Sequence, residues 1–400
     1  MQEVSGSALR CTDCGSDPIY HKGTYIALWL ERFARPLFFY PSEIGRYIGE
    51  RVLHAEWLLP LIYRGIARLG LGTLLDAPDE KTLLLDRVLW EEAKERGIEM
   101  QEFRLFGLPR NLFIVKFRDG RHSSFEGIPL STRKRGPVWW IDNKAELKKR
   151  FQAYHFPVAA GGAASSYKSA RHIYDTLLKP VITKPHVGSA TRHTTLHISD
   201  EKKLKQAFAI AKQVSPLVVI EEELEGHVYR ATLVDGKLCA TIRRDPPTII
   251  GDGHKTIQEL VEKANEHPAR RGPYFSPIAL SQETLDELKR QTLSPQSVPP
   301  SGERITLHQK INWSVGGTTK DVSDEVHPDN ILLFEEISDR LRAEVVGIDF
   351  ISPDLSRSWR EVRCGVIECN SMPFFDNHHL PFEGRPRNIA AKIWDLTEQR

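Results

Sequence analysis

Apolar positions along the chain fall into two rhythms, one of helical and one of strand period. Residues 82–96 (TLLLDRVLWEEAKER) carry an apolar stripe at helical spacing and stop at Gly97. Residues 112–117 and 138–141 are apolar runs of strand length, and Asp119-Gly120 within IVKFRDGRHSSF predicts a hairpin. Asn143 predicts the cap of a helix over KAELKKRFQAYH, with Glu146 as its capping-box partner. Next come a strand in LLKPVITKP, a small-residue loop over 187–195, a helix in DEKKLKQAFAIAKQV and a buried strand in LVVIEEEL. YRATLVDGKLCATIRR predicts two strands joined at Asp235-Gly236. Residues 251–300 mix a helix (TIQELVEKAN) with Pro-rich connection. A helix over about 330–344 leads to strands VVGIDFI and CGVIECN, and a last helix ends near Asp395.

The first 75 residues are less regular. Val52, Leu53, Trp57, Leu58, Leu61, Ile62, Ile66 and Leu69 recur at roughly helical spacing, interrupted by Pro60. They predict a helix or helix pair packed on the body of the protein. Arg51, Arg64 and Arg68 among them leave a membrane-surface helix as the alternative.

Composition narrows the class. The 400 residues are 40% hydrophobic and 27% charged, which excludes disorder and leaves room for about two or three domains. With 55 Lys+Arg against 53 Asp+Glu the net charge is +2, and nothing points to nucleic acid. Five cysteines, an odd number, fit a reducing compartment. No leader pattern opens the chain and no run of eighteen apolar residues occurs, so a cytoplasmic, multidomain enzyme without stable membrane insertion is expected.

The chemistry concentrates in GIDFISPD and GVIECN, two short strands that deliver Asp349 and Glu368. Asn370 lies two residues past Glu368, so on an extended strand both leave the same face. Two carboxylates and an amide oxygen form the all-oxygen set that magnesium prefers. Lys148 on the helix after Asn143 and Lys184 at a strand end could reach nucleotide phosphates. The loop after Lys184 holds a single glycine, Gly188, and LVVIEEEL offers strand backbone and Glu221 to an adenine edge.

From about residue 143 to 395, four stretches resemble the ATP-grasp domain of the cyanophycin synthetase family and its glutathione-synthesising relatives. They are VVIEEELEGHVYRATLVDGKLCATIRRDPPTIIGDGHKTIQELV, NWSVGGTTKDVSDEVHPDN, VVGIDF and GVIECNSMPFFDNHHLPFEGRPRN, in the family's order. The resemblance implies a mixed α/β and α+β architecture. Residues 1–75 form an unassigned, mostly helical segment; 76–141 resemble a preATP-grasp domain; 142–225 and 226–400 are the two ATP-grasp lobes. The Mur-ligase-like half of a full cyanophycin synthetase is not expected here.

The activity implied is ATP-dependent carboxylate–amine ligation through an acyl phosphate, with ATP and Mg2+ as cofactors and amino acids or short peptides as substrates. A homo-oligomer is compatible with the family. By resemblance, Lys148 and Lys184 with the Gly188 loop bind phosphates, while Glu221, Glu222 and Leu224 hold the adenine. Asp349, Glu368 and Asn370 bind magnesium. Arg244 steadies the transferred phosphoryl group. His308 falls near the reacting carboxylate, with Lys310 able to take the part of the expected arginine; Asn312 with Ser314, Gly316 and Gly317 shapes the acceptor side, and Asp376, His378 and Arg387 lie in the last loop near substrate.

The same resemblance exposes departures. Thr191 and His193 stand where glycines are expected, Val228 where an acid is, and His308 and Asp376 where arginines are. They motivate the alternative of a nucleotide-binding regulatory or assembly subunit without ligation; an enzyme that stops at phosphotransfer is a third reading. Outside these motifs, Cys11-x-x-Cys14 is half of a zinc pattern to which His21 could add one ligand. No second CxxC follows, so a zinc site is not expected. His378-His379 reads as a phosphate contact or surface pair, Gly251-Asp252-Gly253 as a hinge, and Arg133-Lys134-Arg135 as a solvated loop.

Overall fold

The computed structural model describes residues 11–14, 19–30, 58–130, 140–188 and 192–399. They divide into two compact units. One joins Met1–Ile44 to Asp142–Leu224, the other Gly45–Ile141 to Glu225–Arg400.

In the first unit a 3-10 turn (Thr12–Cys14) precedes α1 (21–30). Further on lie α4 (Lys144–Ala153), β5 (Gly161–Ala164), α5 (Tyr167–Asp175), β6 (Val181–Pro185), β7 (Thr195–Ile198), α6 (Glu201–Lys212) and β8 (Val218–Glu222). The four strands form one antiparallel sheet in the order β5-β8-β6-β7. Apolar faces of α5 and α6 cover it, with Leu204, Ala211, Ile198, Val218 and Ile220 fully enclosed. Asn143 caps α4 as its sequence predicts, its side chain accepting from the amides of Ala145 and Glu146. The Glu146 carboxylate pairs with Arg150.

The second unit begins, among the described residues, with α2 (Leu58–Arg68), which contains Pro60. It continues through β1 (Gly72–Leu75), α3 (Leu84–Glu95), β2 (Glu99–Leu105), β3 (Leu108–Lys116) and β4 (His122–Glu126). These strands make an antiparallel meander, β1-β2-β3-β4. Asp119-Gly120 is its β3–β4 turn, with Gly120 at φ 85° and its amide donating to Phe117. The strand expected over 138–141 does not extend to Trp140 and Ile141, which lie in turns; residues 138 and 139, like Arg133-Lys134-Arg135, fall outside the described residues.

The remainder of this unit holds β9 (His227–Val234), β10 (Lys237–Asp245), β13 (Thr318–Asp321), β14 (Val345–Ser352) and β15 (Gly365–Asn370). They pair antiparallel in the order β13-β10-β9-β14-β15. Asp235 and Gly236, at φ 48° and 77°, make the tight β9–β10 turn that the sequence predicts. A side layer contains β11 (Thr248–Ile250), α7 (Ile257–Asn265), α8 (Gln282–Arg290) and β12 (Arg304–Thr306), with its own apolar cluster around Ile257, Leu288 and Leu307. Three helices complete the unit: α9 (Pro328–Leu341), α10 (Asp376–His379) and α11 (Ile389–Glu398). Trp394 of α11 is fully buried and donates its indole N–H to Leu89 of α3. That contact joins the last helix to the meander in one core with Val234 and Val345.

No helix among the described residues is long and apolar enough to cross a membrane.

Candidate functional site

Each unit gathers part of the expected chemistry. In the first, Glu221 sits on β8, flanked by Gly161 on β5 and Ile182 on β6. Its carboxylate is 2% exposed and binds two lysines, Lys184 Nζ at 2.5 Å and Lys148 Nζ at 2.7 Å. Lys148 also donates to the Ala159 carbonyl at 2.5 Å. Burial pushes the Glu221 carboxyl up, but the two ammonium groups outweigh it and hold the pKa at about 2. Burial lowers the Lys148 pKa, partly offset by Glu221. The cluster thus sets two lysines around one buried carboxylate.

Other first-unit candidates are placed as follows. The sequence reading gives the Glu221 carboxylate to adenine; in the structure both its oxygens engage lysines. Glu222 accepts from the Leu178 amide at 2.9 Å, and Leu224 is half-buried after the strand end. Gly188 is exposed at φ 125°, its carbonyl accepting from Lys144. Thr191 falls outside the described residues.

The second unit brings together the oxygen donors. Asp349 on β14 lies directly opposite Glu368 on β15, and Asn370 is opposite Gly347 two positions away. Opposed residues of an antiparallel pair share a face, so all three side chains leave the same side of the sheet. On the next strand Arg230 is opposite Asp349. The guanidinium grips the carboxylate with two parallel donors, Nε to Oδ1 and Nη2 to Oδ2, the latter at 2.9 Å. Arg244 on β10 adds Nη1 at 3.6 Å from Oδ2. Burial opposes the Arg230 charge, but Asp349 outweighs it and raises the pKa; at Arg244 burial prevails and lowers it.

Above this face lie the first residues of α10. His378 is fully buried, with Nε2 2.7 Å from the Thr232 hydroxyl, so it is not a surface residue. Burial lowers its pKa to about 3, reinforced by Arg230. Asp376 is also buried, and the desolvation lifts its carboxyl to about 6 despite Arg230 and Arg244. Three side-chain atoms here are buried with no hydrogen-bond partner among the described residues: Asn370 Nδ2, Asp376 Oδ1 and His378 Nδ1. Such orphans are costly unless something else engages them. Turning the Asn370 amide would exchange its idle nitrogen for an oxygen donor. An all-oxygen set with an unsatisfied amide fits a hard divalent cation.

The remaining candidates lie apart from this face or serve turns. His308 Nε2 and Lys310 Nζ share the Glu283 carboxylate of α8, at 2.7 and 3.3 Å. Asn312 caps a short turn by accepting from the Ser314 amide, and Gly316 closes it at φ 92°. A Cβ on Gly317 would sit 2.8 Å from the Asn312 carbonyl, so close backbone packing selects glycine there. Arg387 binds Asp321 and Asp324 at 2.7 and 2.6 Å, fixing the last loop on β13. A cavity of about 660 Å³ is lined by Arg243, Asp245, Lys263, Arg304 and Glu383.

Arg230 is the residue that sequence reasoning missed. Its signal was a lone arginine amid the apolar alternation of a central strand, a position that demands a buried counter-charge.

No protein-family model matches the chain. It is 34% identical over 220 residues to the cyanophycin synthetase of Trichormus variabilis, covering 54% of this chain and 24% of that protein. It is 31% identical over 324 residues to the glutathione biosynthesis bifunctional protein GshAB of Clostridium perfringens, covering 78% of this chain and 41% of the relative. The chain thus spans about a quarter of the cyanophycin synthetase and less than half of the GshAB protein. Among solved structures, the bifunctional glutathione synthetase from Pasteurella multocida superposes with a TM-score of 0.58 at 24% identity, over 80% of this chain and 44% of that one. The chain thus has an ATP-grasp fold and is similar in sequence to the cyanophycin synthetases and the bifunctional glutathione-synthesising proteins.

Proposed function

We propose that the chain is an ATP- and magnesium-dependent ligase that joins a carboxylate to an amine, acting on amino acids or short peptides. The observation that carries this is the single sheet face on which Asp349, Glu368 and Asn370 stand in register beside Arg230 and Arg244. Phosphoryl transfer is catalysed mainly by positioning and charge neutralisation, and this face supplies both oxygen donors and fixed cations. The relatives' names support the reaction class, since cyanophycin and glutathione syntheses both build amides.

In this proposal the γ-phosphoryl of ATP passes to the substrate carboxylate, leaving ADP. The amine then attacks the acyl carbon and expels phosphate, with one proton released. Asp349, Glu368 and Asn370 would hold magnesium, which supplies charge neutralisation at the phosphates. Arg230 acts through Asp349 and is a positioning residue, while Arg244 reaches the transferred group. Lys148 and Lys184 would contact phosphate oxygens, with Glu221 fixing both ammonium groups in place. Neutral His378 and the protonatable Asp376 would line the substrate side. His308 and Lys310, which share the Glu283 carboxylate, would lie toward the reacting carboxylate of the substrate.

The test is ADP release by the 400-residue chain against a panel of amino acids and dipeptides offered as paired carboxylate and amine substrates. Ligation predicts release that needs both partners and falls at least about a hundredfold in Glu368→Gln. ADP release that no pair stimulates, or that the variant leaves unchanged, refutes it.

A further inference from the structure

The first unit contains a second group of converging donors, unconnected with the ligase reading. Cys11 and Cys14 flank the 3-10 turn, which the Cys14 amide closes on the Cys11 carbonyl at 3.3 Å. His21 opens α1, and His193 comes from the loop after β6, 179 residues beyond Cys14. One ligand atom from each of the four lies within 4.8 Å of all the others. Cys14 Sγ is 3.1 Å from His21 Nε2 and 3.3 Å from His193 Nε2, and Cys11 Sγ is 3.9 Å from the same His193 nitrogen. A tetrahedral zinc site with Zn–S of about 2.3 Å and Zn–N of about 2.0–2.1 Å has donor-to-donor edges of roughly 3.3–3.8 Å. The observed spacings bracket that range.

Protonation makes the same point. His193 Nδ1 donates to the Ile210 carbonyl at 3.0 Å, so its Nε2 lone pair faces the two sulfurs. A backbone carbonyl on the far nitrogen is the support that metal-binding imidazoles ordinarily carry. Cys14 is 3% exposed and sits within reach of two imidazole nitrogens, with one proton to give. A cation satisfies all four lone pairs at once. The backbone agrees: the His193 amide donates to the Asp13 carbonyl of the CxxC turn, and His193 holds φ at 51°. That conformation is unfavourable for a non-glycine residue, and it persists where a side chain is required. It also explains why a histidine stands where the resembling phosphate loops suggest glycine.

We propose that Cys11, Cys14, His21 and His193 form a structural zinc site that ties the N-terminal segment to the loop following β6. Two thiolates and two imidazoles select a borderline-soft divalent ion over magnesium or calcium. Four protein donors close the coordination shell, so the ion is structural rather than catalytic. Because it anchors the loop after Lys184, the ion orders one border of the lysine cluster without touching it.

The test uses metal content and spectroscopy rather than turnover. Protein purified without chelator from zinc-supplemented medium should carry about one zinc ion per chain, and X-ray absorption should fit two sulfur and two nitrogen neighbours. Cobalt(II) exchanged into the site should give the intense bands of tetrahedral thiolate coordination. His193→Gly suits the left-handed backbone, so it should fold, yet bind zinc at least about a hundredfold more weakly. Cys11→Ser/Cys14→Ser should abolish binding. Zinc below about a tenth of an equivalent in the wild type, an absorption spectrum with only oxygen and nitrogen neighbours, or a His193→Gly protein with unchanged zinc affinity would each overturn the proposal. Should either variant fail to fold, the wild-type stoichiometry and neighbour count decide alone.

Discussion

Single residues in this protein are governed by buried charge. Asp86 of α3 is 1% exposed, and its Oδ1 has no hydrogen-bond partner among the described residues. Burial raises its carboxyl to about 7, with further pushes from Glu102 and Asp376. An acid whose folded pKa is raised contributes stability that is complete below its unfolded value and is lost as pH climbs through the folded one. The window here runs from about pH 4 to about pH 7. Wild-type unfolding free energy should therefore decline across that window, and Asp86→Asn should remove most of the decline. The variant should be more stable than wild type by about 2–4 kcal/mol at pH 8 and similar to it at pH 4. Urea titrations at several pH values measure this, and parallel curves for the two proteins would contradict it. The sequence alone does not show this, since Asp86 is simply one acid within the predicted helix over residues 82–96. Only the packing of β2 and α10 reveals what surrounds it.

At the scale of elements, local signals carried most of the fold. Asp235-Gly236, Asn143 and the stop at Gly97 are governed by neighbours in sequence, so their geometry could be read from residue type. Register across strands is different, because it depends on partners far along the chain. The same-face relation of Glu368 and Asn370 followed from strand period, but the pairing of Asp349 with Glu368 required β14 and β15 to align. The space that Arg230 needs was hidden for the same reason. Gly347, opposite Asn370, lies where a Cβ would be 2.9 Å from Arg230 Nη1 and 2.8 Å from Pro373 Cβ. Gly347→Ala should displace the guanidinium from Asp349, lowering stability by about 1–3 kcal/mol and activity by more than tenfold. Chemical denaturation and ADP-release assays would show both losses together. An alanine variant with wild-type activity would mean that the Arg230–Asp349 pair does not position the carboxylate.

For the whole molecule, the decisive question is whether the lysine cluster of the first unit and the carboxylate face of the second act on one ligand. Contacts of long sequence separation are the ones that local sequence patterns do not reveal. By sequence His193 stands at an expected glycine position and Cys11-x-x-Cys14 is an isolated half-motif, with 179 residues between Cys14 and His193. The lysines and carboxylates raise a similar problem, and thermodynamic linkage can address it. A ligand bound to the folded state at a hundred times its Kd stabilises by about 2.7 kcal/mol. ATP with magnesium should raise the wild-type Tm, and Lys148→Ala or Glu368→Gln should each remove most of that rise. If both sets engage the same nucleotide, the double variant should lose little beyond either single one, because the shared ligand is already gone. Additive, independent losses would mean that the units bind different ligands. Magnesium should deepen the nucleotide effect in the wild type and leave Glu368→Gln unchanged, since the oxygen donors that would hold the ion lie on that face alone among the residues proposed here.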